Sequence, residues 1–317
     1  MSATHVDGLV GDPPTRFDPR RATDARDRDF LRQLRVAGLL GWRMEANWTD
    51  PVTFLIYSVA RPVTSALLLV VMLDVIGGNV SREYRGFVVV GSALWAFVVS
   101  GISGLAWTIL DDRERYRMLK YVYVSPAGFL VHLVGRGLAK VVVGVVGAAI
   151  TLAVGVAFLG LRLDPTRIDW PLLCGSMAIG IVAVTAIGVL IAAVCIQTRQ
   201  ESWQYPEAVA GALFLLSGAV FPLAVLPDPA EILGLVQPVT WWIAGVREAL
   251  FPGSPTSIGG PGSLWTAVTE AAAPDRPTIL LALLVTGAVG TLGAIVAFRI
   301  SERRAKDRGL LDMTTGS

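Results

Sequence analysis

Hydrophobic and polar positions in this chain alternate on the scale of whole helices. Apolar runs cover residues 53–76, 87–110, 138–159, 171–196, 208–226 and 278–298. Each is close to the ~20 residues that a bilayer core requires, so the pattern predicts six transmembrane helices. The period changes ahead of them. In 29–47, Leu31, Leu34, Val36, Leu39, Leu40 and Met44 recur at helical spacing among Arg32, Arg35 and Arg43, with Trp42 and Trp48 nearby. With a span directly following, this reads as an amphipathic helix in the membrane interface rather than an ordinary soluble helix. Residues 1–28, with Pro13, Pro14, Pro19 and scattered Asp and Arg, read as a disordered tail. They show no secretory-signal h-region, which leaves insertion to the first span.

Two interruptions stand out. "DDRERYRMLKYVYVSP" (111–126) places three acids and four bases between the second and third runs. "PLAVLPDPAEILGLVQPVTWWIAGVREAL" (222–250) is apolar but broken by Pro222, Pro227, Pro229 and Pro238. Its fragments are too short to span. They suit re-entrant or interfacial helices, with Trp241 and Trp242 as headgroup-level anchors. Residues 252–263 form a Gly/Pro/Ser-rich flexible stretch.

Composition agrees with the pattern. Hydrophobic residues make up 53% of 317 positions and charged residues 16%, with a mean hydropathy of +0.60. A soluble chain is normally about a quarter charged. The net charge of +2 is too small to imply a nucleic-acid partner. The distribution of Lys and Arg says more. Segments 1–52, 111–127, 197–204 and 300–317 hold seventeen, against six in 78–86, 160–170 and 227–277. By the positive-inside rule both termini are cytoplasmic.

Several chemistries lack their residues. Each of the three lysines (Lys120, Lys140, Lys306) follows Leu or Ala, so none completes a phosphate-binding loop, which needs Gly before Lys. His5 and His132 are too few for a His-based metal site or triad. Cys174 and Cys195 share one apolar run, about 31 Å apart along a helix, and cannot pair. The chain reads as neither a catalyst on its own nor a metal protein.

Charges inside the runs are Arg61 in the first, Glu207 at the start of the fifth, and Arg136 and Lys140 on one face with His132 in the third. Such charges are costly and are often functional. The preferred reading is that Arg61, Arg136 and Lys140 snorkel to inner-leaflet phosphates. An Arg61–Glu207 pair is a further expectation. Gly144-x-x-Gly147 and Gly287-x-x-Gly290-x-x-Gly293 offer small faces for close helix approach.

These features in order resemble the permease subunits of ABC-2 type exporters, over roughly residues 30–300. In the charged stretch, Asp112, Arg113 and Glu114, apolar Leu119, Val122 and Val124, and the closing Ser125-Pro126 match the family pattern. Tyr116-Arg117 departs from it, standing where Gly-Thr is usual. Ser217-Gly218, Phe221-Pro222, Leu226-Pro227 and "QPVTWWIAGVREAL" with Arg247 match the second hallmark. The resemblance implies an all-α integral membrane protein of the cell membrane, with an interfacial helix, six spans and re-entrant exterior helices between spans five and six. It implies a transmembrane domain over 29–300 and a cytoplasmic tail over 301–317. It also makes 111–126 a cytoplasmic coupling helix. Asp112, Arg113, Glu114, Arg115, Tyr116, Arg117 and Tyr121 would meet a separate ABC ATPase subunit that holds ATP and Mg2+, while this chain holds no cofactor. Phe221, Pro222, Pro227, Trp241 and Trp242 would form an exterior gate. A second permease copy or paralogue completes a dimer among membrane lipids, and an amphiphilic drug-like molecule or lipid is the expected cargo. A polysaccharide exporter and a non-transporting sensor or scaffold remain alternatives.

Overall fold

The computed structural model describes residues 19–46, 82–124, 128–158, 161, 163–198 and 204–309, and the helical positions Ala60, Val63, Thr64, Leu67, Leu68, Val71 and Met72. The described residues are helical or in turns, without a strand. Helix α1 (Pro19–Ala46) precedes α2 (Arg82–Leu110), which runs on into the wider-turned segment Asp111–Arg115. Then come α3 (Leu119–Val124), α4 (Phe129–Phe158), α5 (Trp170–Gln197), α6 (Gln204–Leu216), α7 (Asp228–Val236), α8 (Pro238–Leu250), α9 (Leu264–Thr269) and α10 (Arg276–Asp307). Four described helices are long and apolar enough to cross a membrane: Gly86–Arg115, Phe129–Phe158, Trp170–Gln197 and Arg276–Asp307. They correspond to the second, third, fourth and sixth predicted spans. The first predicted span lies outside the described residues apart from those seven positions.

Helix α2 is the axis of the bundle. Its apolar residues from Phe87 to Leu110 are mostly buried, with Trp107 exposed, close to what is expected of a helix that is hydrophobic all round. Of its most apolar window 72% is buried, against 22% for α10. The exposed faces of α4 and α10, including Val142, Val146, Leu281, Val285, Val289 and Leu292, remain apolar. Helix α1 starts at Pro19, ten residues before the predicted amphipathic segment. It lies against α4, where an added Cβ at Gly41 would sit 2.6 Å from the Arg136 carbonyl oxygen. The Gly144 face likewise packs on Ser100 and Phe97 of α2. The second Gly stripe does not behave this way, since Gly290 and Gly293 face open space.

The fifth predicted span is interrupted. Helix α6 ends at Leu216, ten residues short of its expected end, because the chain turns at Ser217-Gly218, where Gly218 takes φ +66°. A β-carbon is costly in that left-handed conformation and glycine avoids the cost. Hydropathy continues through this point, but the helix does not. The chain re-enters as α7 and α8, and α8 is buried along nearly its whole length between α5 and α10.

Candidate functional site

At its charged end, α2 widens into a five-residue π-type turn, Asp111–Arg115, a geometry frequent at functional sites. The widening sends neighbouring side chains toward different helices. Asp112 is fully buried, and its carboxylate is paired with Arg136 through one oxygen and with His132 Nε2 at 3.2 Å through the other. Arg113 is also buried and donates from Nη1 to the carbonyls of Cys195 (3.2 Å) and Thr198 (2.9 Å), at the C-terminal end of α5. A cation is favoured at that negative helix end. Arg113 Nε also meets Glu114 at 2.8 Å. Tyr116 closes the turn with its ring 5.7 Å from the Arg136 guanidinium. Arg117 then takes φ 50°, a left-handed conformation that a side chain adopts at a cost of ~1 kcal/mol, and the chain reverses into α3.

Along α4, His132, Arg136 and Lys140 form one stripe. Lys140 Nζ lies 2.6 Å from Glu45 of α1. Arg136 and Lys140 therefore find carboxylates within the protein, which corrects the expectation that they snorkel to lipid phosphates. The reason is that Asp112 and Glu45 arrive from elements distant in sequence. Glu207 is exposed on α6, and Arg61, its expected partner, lies outside the described residues.

At the far end, Arg247 of α8 is buried. It donates to the carbonyls of Gly218 (3.2 Å), Ala219 (2.9 Å) and Phe87 (3.0 Å), and its guanidinium lies 3.5 Å from the centre of the Phe87 ring. It locks the Ser217-Gly218 turn onto α2. Nearby, Arg276 at the start of α10 meets Asp169, the N-cap of α5, at 2.7 Å and Glu248 at 3.5 Å. Trp241 and Trp242 are buried rather than at headgroup level. Trp242 packs on Phe97 at 5.0 Å and fills the slot left by Gly180, about 15 Å into α5. Trp241 donates to the Leu235 carbonyl at 2.7 Å and stacks edge-on against Trp265 at 5.7 Å. Phe221 and Pro222 are partly buried, and Pro227 is exposed.

The sequence model of the family described as ABC-2 type transporter matches residues 36–251. The chain belongs to that family. The match runs from within α1 to the residue after α8 and takes in both the charged turn and the Arg247 knot. No curated protein matches the chain. The ABC-2 domain is a permease component of an ABC transporter and not the ATPase itself.

In this ABC-2 permease the residues expected to couple to an ATPase fall into two groups. Asp112 and Arg113 face inward and hold α4 and α5. Arg115, Arg117 and Tyr121 are exposed, and Glu114 and Tyr116 are partly so. Ser125-Pro126 lies outside the described residues. Sequence reasoning missed Glu45 as the partner of Lys140. Its position on the α1 face shared with Ala37 and Gly41 carried the available signal.

Proposed function

We propose that this chain is the membrane half of an ATP-driven exporter, powered by separate ATPase subunits that bind ATP and Mg2+ and dock on the exposed rim of the charged turn. The carrying observation is the division of that turn: Arg115, Arg117 and Tyr121 stand outside, while Asp112 and Arg113 root the same few residues in α4 and α5. A body pressing on the rim moves the helices behind it, a rigid-body switch. The excess of Lys and Arg in 1–52, 111–127, 197–204 and 300–317 supports a cytoplasmic position for this end and both termini, in a protein of the plasma membrane. Two permease copies, identical or paralogous, flank the path. The apolar outward faces of α4 and α10 suit an amphiphilic drug-like molecule or a lipid moved outward. The 217–250 hairpin, with Phe221 and Pro222, closes the outer end.

Affinity purification of the tagged chain from native membranes tests this. The wild type is expected to bring down an ATPase. Arg117→Glu and Tyr121→Ala should each lower recovery about tenfold or more, the effect of losing one well-packed interface anchor. A wild-type preparation without an ATPase would overturn the reading.

A further inference from the structure

We infer that Asp112 is a positioning residue whose ion pair with Arg136 carries the movement of the charged turn to α4, and through α4 to α1. The inference rests on the docking role proposed above.

Three basic residues, one helical turn apart, stripe one face of α4, and each is held by an acid from another element. Asp112 holds His132 and Arg136, and Glu45 of α1 holds Lys140. The Arg136 carbonyl also lies against Gly41 of α1, so the two backbones touch there. Two turns of α4 thus join the charged turn on one side to α1 on the other. The Asp112–Arg136 pair is shielded from water, with side-chain exposures of 1% and 6%. A buried carboxylate that leaves its cation becomes an unpaired charge in a low-dielectric setting, so the pair resists sliding or parting. The Tyr116 ring beside Arg136 further fixes the guanidinium at the exit of the turn. By contrast, Lys140–Glu45 is partly exposed on both sides and can adjust as α1 tilts. The stiff joint therefore sits between the turn and α4, and the more compliant one between α4 and α1.

The test uses the full chain with its co-purified ATPase in nanodiscs. Backbone hydrogen exchange is followed in 111–124, 129–141 and 30–45, without nucleotide and with ATP and vanadate. In the wild type all three segments should respond to nucleotide. In Asp112→Asn and Arg136→Gln the response of 111–124 should persist, while those of 129–141 and 30–45 are lost. Asp112→Glu and Arg136→Lys keep the charges and should keep all three responses. ATPase recovery should be unchanged in every variant, since Asp112 does not reach the surface. A staple with no role in transmission would lower thermal stability and leave the responses intact, and that result overturns the inference. Arg136→Lys failing as Arg136→Gln does would also overturn it. If Asp112→Asn does not accumulate, the Arg136→Gln and Arg136→Lys comparison decides alone. A wild-type chain without an ATPase counts against the docking role, whereas an ATPase present with unaltered responses in the variants counts against transmission only.

Discussion

Replacing Arg247 by Ala is expected to loosen the far end of the bundle by on the order of 3 kcal/mol. The Gly218 and Ala219 carbonyls lie in a turn and receive their hydrogen bonds from this guanidinium. Each would be left buried and unpaired, which costs about 1–3 kcal/mol per group. The Phe87 carbonyl lies in α2, where the helix supplies a donor of its own, so its loss adds less. The guanidinium's stacking on Phe87 would go as well. Arg247→Lys should recover only part of the loss, because Arg247 spreads its three contacts over two nitrogens and the shorter Lys side chain offers one. Gly91→Ala should reproduce the defect from the other side, since its added methyl would overlap the Ala219 carbonyl. Thermal unfolding of the detergent-solubilised protein, followed by tryptophan fluorescence, reads all three. A melting temperature for Arg247→Ala equal to wild type would show that the turn holds itself without this residue.

The second large effect belongs to Trp242. It is fully buried between Phe97 and the groove at Gly180, so Trp242→Ala opens a cavity and should cost about 3–5 kcal/mol. Gly180→Val should be comparably damaging for the opposite reason, because its β-carbon would occupy the space of the indole ring. Combined, the two faults partly cancel. The double variant should be at least about 1 kcal/mol more stable than the sum of the single losses predicts. Strict additivity would mean that Trp242 and Gly180 do not share the contact described.

Much of the helical framework was legible in the sequence, because apolar runs of membrane length leave few other solutions. The misreadings came where a residue's meaning depends on something far away in the chain. The Trp241–Trp242 pair matched the expectation for a headgroup belt, and nothing local reveals that Gly180 leaves a slot for an indole at depth. Arg136 and Lys140 looked like snorkelling cations because Asp112 and Glu45 are 24 and 95 residues away. The fifth run stays hydrophobic through Ser217-Gly218, where the backbone turns, and hydropathy carries no information about φ. At the charged turn the sequence does not reveal how the residues divide between the inside and the outside. Alternating acids and bases look alike in a string, and the five-residue widening of α2 decides which of them point inward.

In the proposed exporter the exposed rim of the charged turn, and not its buried root, meets a separate ATPase. Site-specific photocrosslinking in native membranes tests this arrangement most directly, with a benzophenone amino acid placed at position 121 in one variant and at position 112 in another. From position 121 a crosslinked band containing this chain and an ABC ATPase is expected, and from position 112 only crosslinks within the chain. An ATPase captured from position 112, or none captured from position 121, would contradict this arrangement.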